Sequence, residues 1–123
     1  GDTMQIEDKS LVSDLIDCLY DTRQIIKNVM NIKRIQGVDE SIVQHFVRMD
    51  EYLKALIDHI ENKTPIIALN FLALNLFSAE YMMRRRNCIE HMSFDTKNQY
   101  EEKERNLIDT MYQVLKFLSS ARR

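Results

Sequence analysis

Apolar residues recur at steps of three and four along most of this chain, and this spacing restricts its fold more than any other feature. Residues at such steps share one face of an α-helix, whereas a half-buried strand alternates at every second residue. The clearest case lies between residues 40 and 62, where steps of four and three alternate as in a coiled coil: Ile42, Phe46, Met49, Leu53, Leu56 and Ile60. The chain is therefore predicted to bury helical stripes against one another in a shared core.

Turn and capping residues divide the chain into four predicted helices, at about residues 8–35, 40–62, 65–90 and 96–120. Gly37 ends the first helix, because glycine readily adopts the left-handed conformation of a C-terminal cap. Asp39 can accept the free amide hydrogens that open the second helix. Thr64 and Pro65 start the third, since the Thr64 hydroxyl can cap free amides and proline in the first turn loses no hydrogen bond. Thr96, with glutamine three residues later, has the spacing of a capping box for the fourth.

The connections between these helices decide the predicted fold class. Two Gly and one Pro among 123 residues are too few turn formers for an all-β protein. The length suits one compact domain, and no linker, repeat or low-complexity tract divides it. Because the turns are short, consecutive helices should run antiparallel. We predict a single all-α domain over residues 1–123, an antiparallel up-and-down four-helix bundle.

The predicted third helix has hardly any polar face between residues 66 and 83. A helix of this kind must be covered on several sides. A membrane span is the alternative, since three arginines follow at residues 84–86, but Asn70, Asn75 and Glu80 interrupt a segment barely long enough to cross a bilayer. We expect instead a buried central helix, or one shared with a second subunit.

Charge and cysteine usage limit the compartment and the partners. The net charge of −2 at pH 7 argues against a protein that coats nucleic acid or an anionic membrane through its overall charge, and leaves room for a local basic patch. Cys18 and Cys88 have no metal-ligand spacing and would lie at different heights in the bundle, so we interpret both as reduced thiols. The first residues are polar and lack the apolar run of a signal peptide. We predict a soluble, cytoplasmic protein with no membrane or DNA partner.

Up-and-down connectivity brings several cations to one pole of the bundle. The end of the first helix, the start of the second, the end of the third and the start of the fourth should lie together there. Candidate ligands for a phosphate or an RNA backbone at this pole are Lys33, Arg34, Arg84, Arg85 and Lys97. The alternative is that these cations complement the dipoles of helix C-termini, and nearby acids such as Glu90 and Asp95 would weaken the patch.

The segment from Arg86 to His91, RNCIEH, resembles the Arg-x4-6-His motif of the HEPN (higher eukaryotes and prokaryotes nucleotide-binding) superfamily, which includes many metal-independent RNases and toxin components. The resemblance covers these six residues together with helix count, length and order. It implies a helical bundle in which two copies of the motif face each other across a dimer. His91 would then move the proton of a ribose hydroxyl, Arg86 would stabilise the charged phosphorane and Asn87 would orient either one. Ser93 stands where the antitoxin-paired branch has an aromatic residue.

The spacing of aspartates and histidines does not favour a metal site. Asp14, Asp17 and Asp21 follow one another at steps of three and four and could line one helix face, but a solvated acidic face is expected because no Glu-x-x-His pattern accompanies them. His45 and His59 lack the spacing of a zinc site on one helix and are expected at the surface or its boundary. We predict no metal and no cofactor.

Asn70 and Asn75 lie within the apolar third helix, where an amide is costly to bury without hydrogen bonds. We interpret them as residues that fix the register between helices, as a buried Asn does in coiled coils. The alternative is a polar ligand pocket to which Glu80 and Tyr81 contribute.

No Gly-rich phosphate loop, nucleophile elbow or HExxH motif occurs in the chain. We therefore interpret it as a non-enzymatic interaction or oligomerisation module, which uses apolar surface left over on the third helix to bind a second copy, as a dimer, or another protein. The alternative is a HEPN-like metal-independent RNase or toxin-type domain, with Arg86 and His91 as the working pair and RNA as substrate.

Overall fold

Five α-helices make up the computed structural model, which describes residues 2–121 and the side chains of residues 11–120. Their bounds are α1 (Asp2–Gln36), α2 (Glu40–Glu61), α3 (Pro65–Leu76), α4 (Ala79–Ile89) and α5 (Phe94–Ala121). Within the described residues there is no strand, so the prediction of an all-α fold is confirmed.

The predicted third helix, residues 65–90, is two helices. α3 and α4 meet at a bend of 58° around Phe77 and Ser78. The Ser78 hydroxyl accepts a hydrogen bond from the Tyr81 N–H at 3.1 Å and donates one to the Asn75 carbonyl oxygen at 2.7 Å. Ser78 thereby caps α4 and satisfies an orphan carbonyl of α3. Apolar residues continue on both sides of the bend, so their spacing alone did not reveal it.

Most of the predicted helix ends agree with the structure. Gly37 has a φ of 70°, the left-handed conformation expected of it. Asp39 caps α2, and hydrogen bonds from the Ser41 hydroxyl and backbone N–H lower the pKa of Asp39. α5 begins two residues earlier than predicted, because the Ser93 hydroxyl accepts the Thr96 N–H at 3.3 Å. Thr96 itself lies inside the helix. Thr64 precedes α3 as predicted, but the prediction that its hydroxyl caps the helix is wrong, because its side chain makes no capping hydrogen bond.

The core lies where α1 packs against α2 and α5, and where α2 in turn packs against α3 and α4. The predicted stripe of α2 is buried from Phe46 to Ile60, and only Ile42 at its start is half-buried. On α1, burial ends near Met30, and Ile32 is exposed although it continues the apolar spacing. The apolar stripe of α1 therefore continues beyond the part of α1 that the other helices cover.

Among the described helices, none is both long enough and apolar enough to cross a bilayer. Only α3 and α4 counted together meet that test of length and composition, and the 58° bend separates them.

Candidate functional site

The motif residues Arg86, Asn87 and His91 lie in different surroundings. Arg86 and Asn87 are neighbours in the last turns of α4, so their side chains leave the helix about 100° apart. Arg86 is exposed and Asn87 is half-buried. His91 is half-buried in the turn after α4, with its Nε2 atom 3.9 Å from Oε1 of Glu90. α4 therefore does not by itself present the three residues on one face.

His45, on α2, lies against the end of α4. Its ring stacks on the His91 ring, with centroids 6.0 Å apart and planes 11° from parallel. Its carbonyl oxygen accepts a hydrogen bond from the Sγ atom of Cys88 at 3.3 Å. His45 is half-buried, in agreement with its predicted place at the surface boundary. Its pairing with His91 was not predicted, because nothing in the spacing of two histidines on separate helices reveals a contact.

A narrow cleft opens between α2 and α4 beside the histidine pair; we call it the α2–α4 cleft. Its lining residues are His45, Arg48, Met83, Arg84 and Asn87. Its volume is about 30 Å³, enough for one or two water molecules. Four of the five side chains carry N–H groups that can donate hydrogen bonds. His45 and Arg48 were not recognised as site residues from the sequence, since only the packing of α2 on α4 places them beside Arg84 and Asn87.

Two of the predicted anion-binding arginines form ion pairs within the protein. The Nε and Nη2 atoms of Arg84 donate to Oε1 of Glu80 at 3.2 and 2.9 Å, and its guanidinium lies 5.8 Å from the centre of the Tyr52 ring. Nε of Arg85 donates to both carboxylate oxygens of Glu104, at 2.8 and 2.9 Å. Arg85 is therefore engaged on the α5 side of α4, away from the α2–α4 cleft.

The other three predicted anion-binding residues lie outside the α2–α4 cleft. The Lys33 ammonium lies 5.8 Å from the centre of the Phe46 ring, and Nζ of Lys97 lies 3.9 Å from Oε1 of Glu101. Arg34 is exposed. Of the five predicted anion-binding residues, only Arg84 lines the α2–α4 cleft.

A buried polar cluster joins α4 to α5. The hydroxyl groups of Tyr81 and Tyr100 lie 3.0 Å apart, and Tyr81 donates a short hydrogen bond to the carboxylate of Glu104. Tyr100 is completely buried, and Glu104 is only 9% exposed. Burial of a carboxylate is costly unless it is paired and hydrogen-bonded. Here the Arg85 guanidinium is the charged partner of the Glu104 carboxylate, and Arg85 and Tyr81 both donate hydrogen bonds to it. The buried carboxylate therefore has the partners that it needs.

This cluster, formed by Tyr81, Arg85, Tyr100 and Glu104, was missed in the sequence although a signal for it exists. Glu104 lies four residues after Tyr100 and three before Leu107, so it shares a helix face with two apolar residues that are both buried. An acidic residue at a core-facing position predicts a buried partner of opposite charge. The identity of that partner, Arg85, depends on tertiary packing.

Burial controls the protonation of several groups here. It raises the pKa of Tyr81 and of Tyr100 well above the ordinary phenol value, and the Glu104 charge raises both further. Both phenols therefore keep their protons at neutral pH and act as donors. Burial raises the pKa of Cys88 to about 12, so it stays a thiol rather than a reactive thiolate. Cys18 and Cys88 are both free, in agreement with the prediction.

The proposed polar pocket of the third helix has no common location. Asn70 is exposed, whereas Oδ1 of Asn75 accepts a hydrogen bond from the Tyr52 hydroxyl at 3.0 Å. Glu80 is exposed on α4 and Tyr81 belongs to the buried cluster. Asn75 thus links α3 to α2, in agreement with the prediction, whereas the register role predicted for Asn70 is wrong because Asn70 is exposed.

One side of α3 is apolar and exposed; we call it the α3 apolar face and define it as Ile66, Ile67, Asn70, Leu74 and Phe77. These positions fall within one third of the helix circumference. The exposed fractions of Ile67, Leu74 and Phe77 are 51%, 75% and 56%. The opposite side of α3, with Ala68, Leu69, Leu72 and Leu76, is buried against the other helices. The bundle therefore covers α3 on one side only.

Within residues 11–120, no three His, Cys, Asp or Glu side chains are grouped so as to hold a metal ion. The three aspartates considered as ligands, Asp14, Asp17 and Asp21, are all exposed. His59 is exposed as well, and its ring stacks on Phe71 at a centroid distance of 3.8 Å.

No protein-family model, curated protein or solved structure matches this chain.

Proposed function

We propose that this protein is a self-associating helical module in which a second copy covers the α3 apolar face. The observation that carries the proposal is an uncharged stretch of fifteen residues, 65–79, whose apolar side chains on one face remain exposed. The centres of protein interfaces are depleted in charge and their rims are polar. Lys63 precedes this stretch, and Glu80 and Arg84 follow it. The face has the composition of an interface centre with a charged rim.

The chemistry of the face favours a second copy as its partner. An uncharged apolar surface is best matched by another surface without charge, because a buried unpaired charge is costly. The same face on a second chain meets that condition. Asn70 is exposed within the face, and its amide has both a donor and an acceptor. Two copies related by a two-fold axis could therefore pair their Asn70 amides reciprocally.

The experiment measures the mass of the purified protein by sedimentation velocity and light scattering over a range of concentrations. We expect a dimer, and we expect Leu74→Glu to weaken it at least about 100-fold because each copy would then bury a charge. Leu115→Glu is the matched control, since Leu115 is also half-exposed but lies on α5. A wild-type protein that stays monomeric at every concentration would disprove the proposal, as would equal weakening by both variants.

We also infer that α3 and α4 together take the third position of an up-and-down bundle. α1 contacts both α2 and α5, and α2 contacts both α3 and α4, which supports this arrangement. The bend at Ser78 then changes the helix direction within this third position, and the bundle still has four positions. Such a bundle suits a cytoplasmic protein.

RNA cleavage of the HEPN kind is the second candidate function. It is favoured by the second imidazole, His45, whose ring lies 6.0 Å from that of His91. Cleavage at a ribose hydroxyl needs one group to take a proton and another to give one, and two histidines can share these tasks. Arg86 would supply the charge that stabilises the phosphorane.

The test of this second function is RNA cleavage by the purified protein, by His91→Ala and by Arg86→Ala. If His91 and Arg86 act as proposed, each variant should lose at least about 100-fold in rate. Cleavage that persists unchanged in His91→Ala would show that another residue, or a contaminant, cuts the RNA. A wild-type protein with no cleavage would remove this candidate and leave the dimer proposal unaffected.

A further inference from the structure

We propose that the α2–α4 cleft binds the terminal phosphate of a small phosphate monoester. Two helices supply the donors: His45 and Arg48 lie one turn apart on α2, and Arg84 and Asn87 lie one turn apart on α4. Guanidinium groups bind phosphate oxygens through charge-assisted hydrogen bonds, and an amide or imidazole N–H adds further donors. The cleft is therefore lined by donor groups of the kind that phosphate requires.

The two arginines still have donors to offer. Arg48 is exposed and forms no ion pair with any residue between 11 and 120. Arg84 uses its Nε and Nη2 atoms on Glu80. Because a guanidinium has five N–H groups, Arg84 keeps N–H groups that do not point at that carboxylate. The pairing with Glu80 also restricts the Arg84 side chain, which reduces the entropy lost on binding.

The shape of the cleft indicates a terminal phosphate rather than the backbone of a nucleic acid. A volume of about 30 Å³ admits oxygens at the mouth but not a chain of sugars on both sides. A phosphate monoester has three terminal oxygens that can each accept a hydrogen bond from the donors at the mouth of the cleft. The stacked His91 ring holds the His45 ring at the wall of the cleft.

This inference goes beyond the dimer and does not require RNA cleavage. The α3 apolar face and the α2–α4 cleft have no residue in common. The cleft shares His45 and Asn87 with the RNA-cleavage candidate, but Arg86 and His91 are not among the residues that line it. Phosphate binding itself needs no cleavage, so it can be present or absent whatever the outcome of the two tests above.

The test is calorimetric titration of the full chain with inorganic phosphate, with adenosine monophosphate and with an oligouridylate that has no terminal phosphate. We expect saturable binding of the first two and much weaker binding of the third. Arg48→Gln should weaken binding about tenfold or more, because it removes one charge-assisted hydrogen bond from an exposed position that the fold does not need. Phosphate should also shift the imidazole proton resonances of His45 in the wild-type protein.

Arg105→Gln is the matched control, since it removes the same charge from an exposed site on α5. It should change binding by less than about twofold. Three results would each overturn the proposal. They are the absence of saturable binding of phosphate and the nucleotide in the millimolar range, equal weakening by Arg48→Gln and Arg105→Gln, and binding of the oligouridylate as tight as that of the nucleotide.

Discussion

The α3 apolar face and the buried polar cluster between α4 and α5 differ in which kind of side chain is buried. The cluster buries a carboxylate, two phenols and most of a guanidinium, whereas the face leaves isoleucine, leucine and phenylalanine exposed. The polar groups of the cluster satisfy one another, so their burial costs little. Among residues 11–120, no element covers the apolar groups of the face. Burial here follows from the availability of a partner rather than from polarity alone.

Removal of one partner from the cluster should have the largest effect. Arg85→Ala leaves the Glu104 carboxylate buried without its counterion, and we expect the free energy of unfolding to fall by about 3 kcal/mol. Urea denaturation followed by circular dichroism measures this change. Arg105→Ala, on the exposed side of α5, should alter it by less than about 0.5 kcal/mol. A similar small change for Arg85→Ala would mean that water or another group replaces the guanidinium.

The buried phenols should make the fold sensitive to alkali. Because the pKa of Tyr100 is higher in the folded state than the ordinary value of 10.0, the unfolded chain ionises first as the pH rises. The contribution of the Tyr100 phenol to stability is therefore fully present below pH 10, and it decreases as the pH rises above that value. Tyr100→Phe should reduce this decrease while costing about 1 kcal/mol at neutral pH through the lost hydrogen bond.

Tyr112 provides the control for this alkaline effect. It is 55% exposed on α5, so Tyr112→Phe should leave the pH dependence of unfolding unchanged. If Tyr100→Phe and the wild type lose stability in parallel between pH 9 and 11, the Tyr100 phenol is not responsible.

The α3 apolar face should show the smallest effect on the stability of a single chain. Leu74→Ser, measured at concentrations low enough to give monomer, should change the free energy of unfolding by less than about 0.5 kcal/mol. Leu72→Ala, on the buried side of the same helix, should cost about 3 kcal/mol. Equal costs for the two leucines would show that Leu74 is covered within the chain, which would contradict the exposed face.

Local rules predicted much of the fold. The helix ends at Gly37, Asp39 and Pro65 follow from conformational preferences and capping chemistry that need only neighbouring residues. The buried stripe of α2 follows from the helical period. The bend at Ser78 was missed because a serine hydroxyl can cap a helix or point to solvent from its interior, and its sequence neighbours allow both.

The candidate sites were predicted less well, since each combines residues from separate helices. The sequence singled out Arg84 and Asn87, but His45 and Arg48 join them only because α2 packs on α4. Likewise, Arg85 was predicted to bind an anion from solution, and its observed anion is Glu104, nineteen residues later in the chain.

Helix content, helix ends and the apolar stripes are therefore written in the amino-acid order, because hydrogen bonds and side-chain contacts within a helix join residues at most four apart. Which side of α3 is covered, which carboxylate meets Arg85 and which histidine stacks on His91 were decided only when the helices packed. These contacts join residues far apart in the chain, and the direction and rotation of each helix determine them.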